Sequence, residues 1–541
     1  MRKSIFIKLA LVAIISLLAI IAYKLFWSVA EPKVEYKVAQ IGLTSNEVAA
    51  QGPLPGEVSL YTGELACAEA QHTPGYYSSL NGAEISDATR SGIFPCATFS
   101  GSFNSSNEVL AWRSADKFPG ISYMNNRKPG ELYIVGGEFP TLGDPNPAGP
   151  WVAKANATTG EQYWRTYLDN PNASGRWIGN ANLNILENGK IVFAWSNQIV
   201  LIDPDSGQIL AHNTLPSGEA PTEDVNYKHL TVAPDGTLIL KDQTRPTGCK
   251  LQGTMAIIKC VDEGMKQPNS QLVAVNAETL EVIHDIVLPE PASPPFIITE
   301  FEGKIAIYIG FDSSGRRAFW DPQTQKLSMD ETWTVFPMQE GQTTATAPTL
   351  VGDWVSFQLN GLFSEKKASS VVVVNQYDAS RTNVIFPFGE LEPGQFSFAP
   401  PKNGADPENS MIYSADMGVG KVAGIKLDQE TGEMETAFVL DNMTTGFQPV
   451  IGPKDRRVLM LSRMKLNAPH EPLKLALFTE NYTEQVTWRD ALSGKILAES
   501  DYFEPMAVNG LLTPGFGGRI YYMTPVGQSF YSLQVLPKTT P

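Results

Sequence analysis

The chain has 541 residues, 43% hydrophobic and 18% charged, which is enough apolar material for a large core and excludes a disordered polymer. Its 41 basic and 57 acidic side chains leave a net charge of −16, which argues against a nucleic-acid backbone or an anionic lipid surface as partner. The 45 glycines and 39 prolines indicate many turns and few long helices, and five histidines are too few for a multi-copper or multi-zinc centre built on imidazole.

Met1-Arg2-Lys3 gives a basic start, and Leu9 to Ala22 is an apolar run broken only by Ser16. Lys8 and Lys24 bracket that run, with Tyr23 and Trp27 at its far edge. At roughly 1.5 Å per residue, Ile5 to Trp27 is long enough to cross a bilayer as one helix. A cleaved signal peptide ending at Ser28-Val29-Ala30 is the alternative, opposed by the bulky residues just before that point. Either way the basic start stays inside and the rest of the chain is exported. Residues 1–30 are therefore expected to be an inner-membrane anchor or signal segment, with the remainder in the periplasm.

Four cysteines, Cys67, Cys96, Cys249 and Cys260, form an even set in an exported chain. Of the three possible pairings, the local one, Cys67–Cys96 with Cys249–Cys260, closes the shorter loops and is the expectation. No CxxC or CxxCH occurs, so a c-type haem and a thiol redox motif are excluded from the chain.

Residues 31–106 read as an extended, Pro/Gly-rich arm pinned by Cys67–Cys96. Beyond them one pattern recurs: an alternating strand, a turn of Asp or Asn, a spacer, usually Thr/Ser-Gly, and a second strand. It stands at Trp151–Trp164, Ile199–Leu210, Leu272–Ile283, Val422–Glu433 and Val486–Leu497. The Asp or Asn side chain bonds the turn backbone and Gly supplies positive φ, so the pattern encodes a hairpin. Innermost strands are expected to begin near Gly120, Ile178, Lys228, Pro295, Ala345, Gln395, Gly446 and Met506. Eight units of four short strands, about fifty residues apart, predict an all-β, eight-bladed β-propeller over 107–541. The last unit stops after Arg519–Met523 and Ser529–Val535, one strand short, while Glu108–Arg113 stands alone before the first unit. That N-terminal strand is expected to complete the final blade and close the ring.

The Asn/Asp-x-x-Thr/Ser-Gly-x-x-x-Trp pattern, fullest at Asn156 to Trp164, resembles the repeat of quinoprotein (PQQ-type) eight-bladed propellers across about residues 107–536. That group holds PQQ-dependent alcohol dehydrogenases and also an outer-membrane assembly lipoprotein that has the fold without the cofactor. The sequence departs from it: His284 and Ala498 replace the tryptophan in two units, and the adjacent-cysteine pair of many dehydrogenases and a lipoprotein cysteine are missing.

Propellers place ligands at the central mouth, on the loops leading into the innermost strands. Those loops carry Arg176, Trp177, Asn180, Asp224, Asn226, Lys228, His229, Gln395, Gln448, Glu504 and Asn509. If the resemblance extends to the cofactor, Arg176 and Lys228 would hold the PQQ carboxylates, with Trp177, Gln395 and Gln448 beside it. Asn180, Glu504 and Asn509 would offer oxygens to calcium, and Asp224 would serve as the general base. Against this, a polar side chain at such a position more often bonds a neighbouring blade. Asp203, Asp205 and Asp235 read as turn formers, Arg316-Arg317 as a solvated hairpin tip, and Trp112, Trp164, Trp320 and Trp488 as packing between blades.

Three functions compete. The first is a periplasmic, membrane-anchored quinoprotein-like oxidoreductase acting on an alcohol or similar small substrate, with a separate electron carrier. The second is a non-catalytic propeller serving as a scaffold or ligand-binding module for a membrane or periplasmic protein. A hydrolase or lyase with a metal in the channel is the third.

Overall fold

The structure is a computed structural model that describes residues 38–40, 57–138, 147–169, 177, 182–252, 254–337, 342–343, 346–359, 361, 363–398, 403–444, 449–468, 472–506 and 510–538. The expected membrane-spanning helix lies outside them. Among the described residues, no helix is long and apolar enough to cross a membrane.

The repeat folds as read. Eight antiparallel sheets each hold a four-stranded meander. Their innermost strands are Ile121–Asn125, Asn182–Ile185, Val225–Val232, Ile297–Phe301, Thr349–Val351, Gly404–Asp406, Val450–Ile451 and Thr513–Gly515, defining blades 1 to 8. The starts expected from sequence fall near these, the largest offset being Gln395 against Gly404 in blade 6. Because each blade is a meander, all inner strands run the same way. The loops leading into them share one face, the mouth, and the hairpins after them share the opposite, rear face.

The recurring turn has one geometry. The Oδ1 atom of Asn156 accepts from Thr159 N at 3.1 Å, as Asp203 accepts from Ser206 N at 2.7 Å and Asp490 from Ser493 N at 2.8 Å. The following glycine also makes the inter-blade joint. A Cβ on Gly207 would meet the Trp164 ring at 2.6 Å, and one on Gly432 would meet Trp354 at 2.2 Å. At these two joints a tryptophan of one blade packs against the turn of the next, whereas Gly494 packs on Leu440 and Phe438. Between blades, aliphatic sets interlock, as Val192, Ala194, Ile199 and Leu201 do with Leu230, Val232, Leu238 and Leu240.

The ring closes through its ends. Asn107–Arg113 pairs with Ser529–Pro537 in the register Val109↔Val535, Ala111↔Leu533 and Arg113↔Tyr531. Blade 8 is therefore three C-terminal strands plus one N-terminal strand. Both disulfides form as expected, Cys67–Cys96 and Cys249–Cys260.

Three local readings change. The arm is not extended throughout, because Glu57–Ala70 forms helix α1. Arg317 is not a solvated tip: it lies within the strand Gly315–Asp321, buried, paired to Asp330 at 2.6 Å and stacked 4.2 Å from the Phe301 ring centre. Asp205 does more than shape its turn, since its carboxylate bridges Arg127 at 2.7 Å and Lys154 at 3.1 Å.

Candidate functional site

The axis of the ring is occupied by the protein's own chain. After α1, residues 71–97 pass into the central channel and hydrogen-bond to the inner strands or rear hairpins of six blades. Tyr77 N donates to Ile185 O at 3.0 Å and Ile185 N to Gly82 O at 2.7 Å in blade 2. Asn126 N of blade 1 donates to Asn81 O at 3.0 Å, and Val232 N of blade 3 to the Tyr76 hydroxyl at 2.8 Å. Ile298 N of blade 4 reaches Ala88 O and Ala405 N of blade 6 reaches Ser91 O, both at 2.8 Å. In blade 7, Ile93–Phe94 adds a short parallel strand to Val450–Ile451. Ile185 and Val232 are the last residues of their inner strands, Ala405 and Val450 stand one short of the last, and Ile298 is the second of five. The segment therefore forms a floor across the channel, set toward the rear except at blade 4.

Its conformation needs the ring. Ile85, Ser86 and Arg90 have φ of 57°, 73° and 53°, a region that costs non-glycine residues about 1 kcal/mol each. Asp87 fixes the bend, accepting from Thr89 N at 2.8 Å and Ser91 Oγ at 2.8 Å. Arg90 and Glu84 pair at 2.7 Å with both side chains under 5% exposed. Outside the floor, α1 is tied to the rear hairpin of blade 8: the Glu64 carboxylate accepts from Gly517 N at 2.6 Å and Gly518 N at 3.3 Å. Burial raises the Glu64 pKa against those bonds. Cys67–Cys96 joins α1 to the far end of the floor, so the loop is clamped at its base.

At the mouth, Asp224 ends the short turn Thr222–Asp224 and is buried, its Oδ1 2.6 Å from Arg245 Nε. Burial raises its pKa, and Arg245 acts against that rise. Trp177 N donates to Glu223 O at 2.7 Å, which brings Trp177 to the loop that carries Asp224. Its ring, however, is buried against Cys249, Cys260, Ile257 and Met265, beside helix α2 (Thr254–Asp262). Lys228 is half-buried on the inner strand of blade 3. Gln395 turns back on its own loop, its Oε1 accepting from Glu392 N at 2.9 Å. Glu504 lies beside the ring closure, with Oε1 3.2 Å from Arg113 and Oε2 accepting from Tyr531 at 2.9 Å. Arg176, Asn180, Gln448 and Asn509 lie outside the described residues.

Of the three calcium candidates only Glu504 lies among the described residues, and its two oxygens bond protein groups, Oε1 with Arg113 and Oε2 with Tyr531. Among the described residues, no three of His, Cys, Asp and Glu are grouped to hold a metal ion.

Two features escaped the sequence reading. One is the floor, whose outward sign is a Gly- and Ser-rich stretch between Cys67 and Cys96. The other is a pair of fully buried charges on blade 3, in the strand Leu238–Thr244. Lys241 Nζ donates to Asp242 O at 2.9 Å and to Ala292 O, and burial lowers its pKa to about 7. Burial raises Asp242 to about 7, although Gln271 N donates to it at 2.6 Å. The signal available was a Lys-Asp pair in the middle of an apolar strand.

No family model matches the chain, and no curated protein matches it. Solved structures do. The quinohemoprotein alcohol dehydrogenase of Pseudomonas putida HK5 is similar with a TM-score of 0.52 and 10% identity, over 88% of this chain and 83% of that one. BamB from Moraxella catarrhalis gives 0.43 and 13%, over 79% and 99%. Saccharomyces cerevisiae Sqt1 gives 0.47 and 11%, over 80% and 100%. At 10% identity the likeness to the dehydrogenase speaks for architecture alone, and with the eight sheets and the closing strand it shows that this chain has an eight-bladed β-propeller fold.

Proposed function

We propose that this protein is a non-catalytic binding propeller of the periplasm, a scaffold or ligand-binding module whose channel is a blind well open only at the mouth. The observation that carries this reading is the floor: residues 71–97 take up backbone groups of five inner strands and of the hairpin after a sixth. A ring so filled has no through-channel for a solute, and recognition is left to the mouth loops. The short parallel pairing of Ile93–Phe94 with Val450–Ile451 supports the idea that these inner strands accept extended peptide, because backbone pairing is the means by which sheets add a strand. The two disulfides support an oxidising compartment, and the basic, apolar N-terminus supports export with an anchor. A membrane or periplasmic protein, or a small ligand, would be the partner.

The oxidoreductase reading asks Asp224 to take a substrate proton. Its Oδ1 is occupied by a buried guanidinium 2.6 Å away, which competes with a substrate proton for that oxygen even though burial leaves the Asp224 pKa raised. PQQ, if bound, would accept hydride. The test is to incubate purified full-length protein with PQQ and Ca²⁺ and follow quinone absorbance and dye reduction over a panel of alcohols. The binding reading expects neither signal. Turnover that Asp224→Asn abolishes would overturn it.

A further inference from the structure

Most blade interfaces are packed with aliphatic and aromatic side chains, but the one between blades 5 and 6 is polar toward the mouth. Toward the rear it is dry, with Val351, Trp354 and Val373 against Ala405, Ile412 and Ala423. Side chains alternate along a strand, so residues two apart share a face. On blade 5, Thr349 precedes Val351 by two and lies opposite Ser356 in the register. Gln358 is two beyond Ser356, and its Nε2 crosses the interface to Ala415 O at 2.8 Å. On blade 6, Ser414 is two beyond Ile412, and Asn403 stands two before Ala405. Five polar side chains from two innermost strands and their neighbours therefore meet at one seam beside the channel.

All five are at most 2% exposed. Thr349 Oγ1, Ser356 Oγ, Gln358 Oε1, Ser414 Oγ and both amide atoms of Asn403 have no hydrogen-bond partner within the protein. A buried donor or acceptor left unmatched loses its bonds to water with nothing in return, and native interiors almost never tolerate this. Several such groups converging on one seam therefore specify an occupant. The set is neutral, and the nearby carboxylate of Asp416 is already saturated by Ser369 N, Ser397 Oγ, Phe398 N and Gly418 N at 2.8–3.1 Å. None of the five side chains therefore brings a countercharge for an ion. Three hydroxyls that work either way, two carbonyl acceptors and one amide donor suit groups that both donate and accept.

We infer that the seam between blades 5 and 6 is a buried binding site for hydroxyl oxygen, filled by ordered solvent or by the hydroxyls of a small uncharged polyol reaching in from the channel. The site does not rest on the binding function proposed above, and it stands whether or not PQQ binds.

The test is a crystal structure of the full chain at a resolution that shows solvent, determined without and with glycerol, joined to thermal unfolding of Thr349→Val and Ser414→Ala. The expected result is oxygen density within about 2.6–3.2 Å of at least two of the unmatched groups. Separate peaks unchanged by glycerol assign the occupant to solvent, and continuous density present only with glycerol assigns it to a polyol. Each substitution removes a partner of the bound oxygen and lowers the unfolding midpoint by about 1–2 °C. An empty seam with side chains turned to protein partners overturns the inference. So does a midpoint raised by Thr349→Val, the result expected when an uncompensated hydroxyl is replaced by a methyl group.

Discussion

The blade hairpins and the axial floor are both tight, both carry left-handed residues, and are held in opposite ways. A hairpin such as Asn156–Gly160 holds itself: its Asn accepts from Thr158 N and Thr159 N, and its glycine supplies the positive φ. The floor holds itself only at the Asp87 bend and the Glu84–Arg90 pair. Ile85, Ser86 and Arg90 sit at left-handed φ without a glycine, and their neighbours are fixed by donors and acceptors from six blades. Local chemistry that repeats can be read from a sequence, whereas a unique segment stabilised by distant backbone groups cannot.

The difference should appear on mutation. In the floor, Arg90→Ala takes from the buried Glu84 carboxylate the guanidinium that balances it, and equilibrium unfolding should show a loss of about 3–5 kcal/mol. Glu84→Gln with Arg90→Met, which removes both charges, should recover most of that loss. In a hairpin, Gly432→Ala places a Cβ against Trp354 at a φ of +78°, and about 2–4 kcal/mol should be lost. Gly236→Ala, at φ +85° with nothing within 4 Å, isolates the backbone part, about 1 kcal/mol. If both glycines cost the same, the Trp–turn joint contributes nothing.

Removing the clamp with Cys67→Ala and Cys96→Ala, which frees a 29-residue separation, should cost about 2–4 kcal/mol. It should also speed backbone exchange in 71–97 while leaving the blade hairpins unchanged. Loss of protection spread evenly around the ring would mean that floor and blades form one unit.

The smallest effect concerns blade 3. The Lys241 pKa is lowered to about 7 from 10.5, so between those values the unfolded chain binds a proton that the folded chain does not. Stability from this group therefore rises as pH goes from about 7 to 10.5, and at pH 7 and below the cost of burying the ammonium is fully present. Lys241→Met should raise the unfolding midpoint at pH 6, where the buried ammonium stands beside a protonated Asp242, and the gain should shrink as pH rises toward 10. A gain independent of pH would place the effect in packing rather than charge.

Much of the architecture was legible for this same reason. The Asx–Gly turns fixed the hairpins, their spacing gave the blade number, and an unpaired Glu108–Arg113 matched a final unit one strand short. The mouth was legible only as composition. Asp224 was visible as a polar residue, but its partner Arg245 becomes evident only once the register Val225↔Thr244 sets the two side by side. Arg317 was read as a tip because a strand boundary was misplaced, and its aromatic neighbours Phe301 and Trp333 lie on other strands. Helix α1 has no amphipathic pattern to announce it. It is held by Glu64 reaching two backbone amides more than 450 residues away in sequence.

Hydrogen–deuterium exchange on the full chain with both disulfides intact addresses the floor most directly. The account predicts that amides in 75–94 exchange as slowly as those of the blade strands Leu132–Val135 and Val371–Val374, and that Ile185, Ala405 and Val450 are equally protected. Rapid exchange through 75–94, with those three inner-strand amides unprotected, would contradict a channel filled by its own chain.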